Sequence, residues 1–231
     1  MTPELSIRSF TSDQYFLDKV FYSNFYGLKS LKDKNATVVD IGAHCGYFSF
    51  VAFSLGAAKV FAFEPYLDNY RMLLKNIAST PMFISNQIGV FVTDTSFDVR
   101  PPKVIKGSYL DYGWLEIDEV HETKSPDSTS IICWSLDNIL TRIVQEPVDI
   151  LKINVGYAEI ESLTASKTIE KSVSNICGEA EIEAKDYETV KSKMIQKGFL
   201  DCRITPVDEE QGKVLFQFSK TKLADTFGER K

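Results

Sequence analysis

Asp40, Gly42 and Gly46 stand in the order Asp-x-Gly-x-x-x-Gly within Val38-Val39-Asp40-Ile41-Gly42-Ala43-His44-Cys45-Gly46, and Glu64 follows 24 residues after Asp40. Glycine in such a turn admits left-handed backbone and close approach of a ligand. A helix starting behind it offers N–H groups to an anion. Glu64 ends the apolar run Val60-Phe61-Ala62-Phe63, and Pro65 stops it. If two neighbouring parallel strands carry these residues, the acid lies beside the turn, where its oxygens can accept from the hydroxyls of a ribose. The alternatives are a structural turn and a solvated turn acid. A Gly-x-Gly-x-x-Gly fingerprint is absent, and Tyr47 stands where a phosphate-binding loop would need lysine.

These residues need a strand–turn–helix–strand unit to position them. Val38–Ile41 is apolar and β-branched, Tyr47–Leu55 is an apolar helix-length run, and Lys59–Phe63 is a second buried strand. Residues 1–36 precede the sheet as a helical cap or lid. Ser12-Asp13 is expected to cap an aromatic-bearing helix over Gln14–Phe21, either covering a sheet edge or closing over a ligand. Residues 66–78 keep helical spacing, and a third strand over 82–85 ends at Asn86 and Gln87. Short strands are expected over Phe91-Val92 and Ser96–Arg100. A long polar segment to Asp127 contains His121, a lone loop histidine. Further strands are expected over 131–134, 147–153 and 174–182. Helices are expected from Ser135, from Tyr157 to Leu163 and from Lys185 to Lys197. A hairpin over 202–205 and 214–218 closes the fold. The expected domains are 1–36, 37–220 for the doubly wound α/β unit, and a polar tail over 221–231.

Val-Val-Asp-Ile-Gly-Ala-His-Cys-Gly-Tyr-Phe-Ser followed by Val-Phe-Ala-Phe-Glu-Pro resembles the class I S-adenosylmethionine-dependent methyltransferases, and most of all the FkbM family. Thr11-Ser12-Asp13 and Ser135-Leu136-Asp137 are further local matches, so the resemblance spans roughly residues 8–218. It implies a single Rossmann-like seven-stranded sheet with a C-terminal antiparallel hairpin and S-adenosyl-L-methionine as cofactor. It implies that Asp40, Gly42 and Gly46 surround the methionine part, with Ala43 and His44 in the same turn. Glu64, next to Pro65, would hold the ribose. Asn86 and Gln87 would meet the adenine, or else simply form a polar strand end.

The resemblance breaks at Lys152-Ile153-Asn154-Val155-Gly156-Tyr157-Ala158-Glu159, where the family carries Lys-Ile-Asp-Val-Glu-Gly-x-Glu. In this architecture that strand end faces the transferred methyl group. Transfer to a hydroxyl also requires removal of a proton. Asn154 can hydrogen-bond an acceptor but cannot act as a base, and it is a poor main ligand for Mg²⁺. No metal is expected. His44 is the candidate base within the turn, with a plain turn residue as the alternative. Tyr157 either stacks on a planar acceptor or packs in the core. The reading is O-methylation of a small molecule, sugar or glycan. The alternatives are an RNA-modifying methyltransferase, with Lys103 and Lys106 in a basic groove, or a cofactor-binding protein that has lost transfer.

The bulk properties agree with one globular domain: 231 residues, 44% hydrophobic and 25% charged. Twenty-six basic against 32 acidic residues give a net charge of −6, which opposes a broad nucleic-acid footprint. Cys45, Cys133, Cys177 and Cys202 lack metal-site or disulfide-framework spacing. A cytoplasmic, reducing compartment is expected, with no membrane span.

Overall fold

The computed structural model describes residues 5–28, 35–77, 80–100, 103–105, 109–111, 128–156 and 158–222. The helices are α1 (Asp13–Phe21), α2 (Tyr47–Ser54), α3 (Leu67–Ile77), α4 (Leu136–Ile139), α5 (Glu159–Ala165), α6 (Ile169–Ser172) and α7 (Tyr187–Gln196). The strands in chain order are β1 (Thr37–Ile41), β2 (Lys59–Phe63), β3 (Phe83–Asn86), β4 (Gly89–Phe91), β5 (Thr95–Val99), β6 (Lys103–Ile105), β7 (Tyr109–Asp111), β8 (Thr129–Ser135), β9 (Val148–Ile153), β10 (Val173–Glu181), β11 (Asp201–Asp208) and β12 (Lys213–Ser219).

Seven strands form one sheet in the order β11-β12-β10-β9-β1-β2-β3. β9, β1, β2, β3 and β10 run parallel, while β12 is antiparallel to both β10 and β11. The expected doubly wound sheet and C-terminal hairpin are therefore present. β1 shows why its sequence makes a central strand. Side chains alternate across a sheet, and both faces of β1 are covered. Val39 and Ile41 join Phe61, Phe63, Leu151 and Ile153 in one core cluster. Val38 joins Val60, Phe48 and Val51 beneath α2 in another. The chain leaves β3 and returns on the other side of β1 as β9, so the order reverses between β1 and β9. In open α/β sheets the crevice outside the strand carboxyl ends at such a switch point is where ligands bind.

Three details depart from expectation. Ser12 does not cap α1 through its side chain; instead Asp13 turns inward and is fully buried. Its carboxylate has a better partner, described below. The short strands over 89–99 and 129–135 pair into a second sheet in the order β4-β8-β5, which the sequence did not reveal. Ser135 does cap α4, accepting from the Asn138 N–H at 3.4 Å. Lys106, His121 and Tyr157 lie outside the described residues. Among the described residues no helix is long and apolar enough to cross a membrane.

Candidate active site

The glycine turn after β1 is stitched to its neighbours. Gly42 N and Ala43 N both donate to Phe63 O at 2.9 Å, and His44 N donates to Glu64 Oε2 at 2.8 Å. The first N–H groups of the turn are thus occupied by β2 rather than held open. Gly42 has φ +71°, and a Cβ there would stand 1.8 Å from the Asn154 carbonyl oxygen. At Gly46, φ is +83° and a Cβ would stand 2.6 Å from Leu73 Cδ1. At Gly42 backbone already fills the space a Cβ would need, and at Gly46 the left-handed φ is the stronger demand, since Leu73 Cδ1 ends a flexible side chain.

Below the turn, Asp40 and Lys152 form a saturated pair. Lys152 Nζ donates to Asp40 Oδ1 at 3.0 Å, Ile41 O at 3.3 Å and Gly42 O at 2.6 Å. Ser49 Oγ donates to the other Asp40 oxygen at 2.6 Å. An ammonium has three protons, so Lys152 is fully engaged. The pair ties the end of β1 to β9 and to α2.

Glu64 follows β2 and is buried. Its Oε1 accepts from Tyr66 N at 3.0 Å and Asn69 Nδ2 at 3.3 Å, while among the described residues Oε2 accepts from His44 N alone. A carboxylate offers about four acceptor sites, so Oε2 retains one. Burial pushes the Glu64 carboxyl upward, and these hydrogen bonds oppose it.

A cleft enclosing about 1150 Å³, counting the part open to solvent, lies at the switch point. Gly42, Ala43, His44, Glu64 and Pro65 line it on one side, Lys152 and Asn154 at its base, Phe16, Val20 and Tyr26 from the N-terminal segment, and β4, β5 and β8 opposite.

The N-terminal segment is pinned to the turn by buried charge. Arg8 pairs bidentately with Asp13, Nε to Oδ2 at 2.9 Å and Nη2 to Oδ1 at 2.7 Å. The same Nη2 lies 3.1 Å from His44 Nε2 and 3.0 Å from Cys45 Sγ. Asp13, His44 and Cys45 bring three potential metal-ligating atoms within 4.8 Å of one another. Arg8 already supplies the cation at that point. Burial alone would raise the Asp13 carboxyl, but the Arg8 hydrogen bonds and the facing charges carry it below its ordinary value. A guanidinium can only donate, so His44 Nε2 accepts and Nδ1 carries the proton. Nδ1 is buried and has no hydrogen-bond partner among the described residues. Burial pushes the imidazole down to about 3, with the Asp13 charge opposing and the Arg8 charge assisting. His44 is therefore neutral at physiological pH.

At the end of β9 a second polar group faces the cleft. Gly178 of β10 pairs with Ile153, so Glu179 comes beside Asn154. Glu179 Oε1 accepts from the Tyr26 hydroxyl at 2.6 Å and from Asn154 Nδ2 at 3.2 Å. Lys19 Nζ holds Oε2 at 2.5 Å. Asn154 Nδ2 also reaches the Tyr26 oxygen at 3.3 Å. Burial, then the Glu179 charge, holds the Tyr26 phenol well above its usual range. Glu159 caps the following loop, accepting from Val155 N at 2.6 Å and Gly156 N at 2.5 Å.

The structure brings Gly42, Ala43, His44, Glu64, Pro65 and Asn154 to one cleft. Asp40, Gly46, Asn86 and Gln87 do not line it. Asp40 faces Lys152 and Ser49, and Gly46 packs on α3. The Asn86 carbonyl accepts from Glu64 N at 3.2 Å, and Gln87 Nε2 donates to Pro65 O at 3.4 Å. Sequence reasoning missed Tyr26, Asn69, Lys19 and Glu179. Glu179 interrupts a strand expected to be buried, and that was the available signal.

The Methyltransferase FkbM domain matches residues 40–200 of the chain. No curated protein matches it by sequence. Among solved structures, the METTL16 methyltransferase domain is 12% identical, with a TM-score of 0.51, covering 88% of this chain and 68% of that one. The ribosomal protein L11 methylase of Lactobacillus delbrueckii subsp. bulgaricus is 12% identical at TM-score 0.50, with coverage of 85% and 75%. An rRNA methylase of Streptococcus thermophilus is 12% identical at TM-score 0.50, with coverage of 87% and 95%. At such identities the likeness is one of fold. The family match spans most of the chain, its sheet order carries a cleft at the switch point, and the chain belongs to the FkbM family of S-adenosylmethionine-dependent methyltransferases.

Proposed function

We propose that the cleft binds S-adenosyl-L-methionine and that the methyl group goes to an oxygen of a small molecule, sugar or glycan. The observation that carries the reading is Glu64: a buried carboxylate at the switch point, lining the cleft, with an acceptor site left on Oε2. His44 adds a buried Nδ1 donor without a partner among the described residues, in the same wall. Glu64 would hold the ribose hydroxyls, and the His44 N–H would face the methionine carboxylate. The bound cofactor supplies a methyl group already activated on a sulfonium, so the protein's task is to orient the acceptor and exclude water.

The lining supports a small uncharged acceptor. Glu64 and Lys152 are the charged side chains among the described lining residues, and all three Lys152 protons are engaged. No described lining residue is available to neutralise a phosphate backbone. The net charge of −6 points the same way. Asn154 in place of a carboxylate keeps a second reading open, cofactor binding without transfer.

Calorimetry with S-adenosylhomocysteine tests the cofactor site. The wild type is expected to bind, and Glu64→Ala to lose about 1.5–3 kcal/mol, the range for a hydrogen bond to a charged group. No binding by the wild type overturns the reading. Binding with no label transferred from [methyl-³H]S-adenosylmethionine into a fractionated extract establishes the second reading instead.

A further inference from the structure

We propose that Tyr26 receives the proton that an acceptor hydroxyl gives up, and that Glu179 draws that proton through the phenol. This rests on the methyl-transfer reading above and supplies the base that Asn154 cannot provide.

The geometry is that of a relay. Tyr26 and Asn154 both line the cleft at the end of β9, and the phenol oxygen and the Asn154 amide are 3.3 Å apart. The phenol proton points to Glu179 Oε1 at 2.6 Å. Of the phenol oxygen's two lone pairs, Asn154 Nδ2 takes one. The other is left to accept from a hydroxyl lying over Asn154. Behind the relay, Lys19 Nζ fixes the second Glu179 oxygen at 2.5 Å. Lys19 itself sits 4.2 Å over the Phe25 ring, in a well-packed position. The carboxylate is therefore aimed at Tyr26 rather than free to turn. Among the described residues Cys177, which lies within the field of Lys152 and Asp40, also faces Tyr26.

The step balances. The acceptor oxygen forms a bond to the methyl carbon as the carbon–sulfur bond breaks, and that electron pair goes to sulfur, giving a neutral thioether. The acceptor proton moves to the Tyr26 oxygen as the phenol proton moves to Glu179 Oε1. Tyr26 ends as it began, a neutral phenol, and Glu179 ends protonated and returns the proton to solvent. No phenolate is formed, which suits a buried tyrosine beside a carboxylate.

The same geometry explains why residue 154 is an amide. An aspartate there would place a second carboxylate about where Nδ2 now lies, 3.2 Å from Glu179 Oε1. Two carboxylates at that distance resist joint ionisation, and the donor that orients Tyr26 would be lost.

The test uses two hydroxyl probes with [methyl-³H]S-adenosylmethionine at pH 8: p-cresol, which must lose a proton, and p-nitrophenol, which is largely ionised already. The wild type is expected to methylate both. Tyr26→Phe and Glu179→Gln are expected to lose at least about 100-fold in kcat on p-cresol, the ordinary worth of general-base catalysis. On p-nitrophenol they should lose less than about tenfold, because no base is required there. Affinity for S-adenosylhomocysteine serves as the second readout, and Tyr26→Phe should leave it near wild type. Equal losses on the two probes, or no loss, overturn the relay. Failure of the wild type to methylate either phenol while it still binds S-adenosylhomocysteine also overturns it. Failure to bind S-adenosylhomocysteine overturns the underlying cofactor reading.

Discussion

Lys152 and Lys19 each pair with a carboxylate, the first buried and the second partly so, yet the two pairs differ in what they leave open. Lys152 and Asp40 lie inside the parallel sheet, nearly without exposure, with every ammonium proton and both carboxylate oxygens engaged by β1, β9 and α2. Lys19 and Glu179 lie where the N-terminal segment meets the end of β10, and Tyr26 and Asn154 extend that group into the cleft. The first pair closes a network; the second continues one into the cleft. A buried polar group that is fully satisfied rigidifies the fold, whereas one with unfilled valence is where chemistry can enter.

The strongest way to break this contrast is Lys152→Met. Removing one partner of a buried pair leaves the other uncompensated, and the expected cost is about 3–5 kcal/mol in urea denaturation at pH 7. Lys19→Met should cost clearly less, since Glu179 keeps Tyr26 and Asn154 as donors. Equal costs would erase the distinction. Adding Asp40→Asn to Lys152→Met should recover part of the loss, and a double-mutant cycle measures how much.

The Arg8–Asp13–His44–Cys45 group is a third case and sharpens the comparison. Asp13→Asn removes a buried, bidentate charge partner, and about 1.5–3 kcal/mol is expected. Because the Asp13 carboxyl is held below its ordinary 3.8, its contribution is complete above that value. It fades as pH falls through the lower, folded-state value, so the variant should show a shallower acid limb there.

His44 acts in a different window. Between its ordinary 6.5 and about 3, the unfolded chain takes up a proton on His44 that the folded chain refuses. Stability therefore falls as pH falls through that range, by at most about 1.4 kcal/mol per pH unit. His44→Asn should flatten this slope in a series of denaturation curves from pH 7 to pH 4. A slope that survives the substitution would place the titration elsewhere.

The smallest effect should come from the surface. Lys185 and Glu183 approach to 2.5 Å but are both exposed. Solvent screens such a pair, and Lys185→Ala should leave the denaturation midpoint unchanged within error. Closeness alone does not make a charge pair important; what surrounds it does.

Much of the glycine-turn wall of the cleft was legible in the sequence because it is local. The run from Val38 to Pro65 carries its own strand, turn, helix and strand, and residue types with their spacing are enough to place Glu64 beside the glycine turn. The second sheet was not legible. β4 is three residues long and pairs with β8 across more than 40 residues of chain, Gly89 against Cys133, so no local period announces it. Asn86 and Gln87 were sound as a strand end, but which way a strand-end side chain turns depends on its neighbours. Here Gln87 Nε2 turns to the Pro65 carbonyl, while Asn86 Nδ2 is buried without a partner among the described residues.

The sequence by itself determined the doubly wound class, the strand that ends in Glu64 and the closing hairpin. Each follows from hydrophobic period and turn chemistry within a few tens of residues. Only the tertiary structure decided which charges meet. Asp40 meets Lys152 across 112 residues, Tyr26 meets Glu179 across 153, and Arg8 meets His44 across 36. The reason is physical. Local pattern fixes which face a side chain occupies, but the reversal of strand order at β1 and β9 fixes which distant faces come together, and a buried charge is set by the partner it finds there.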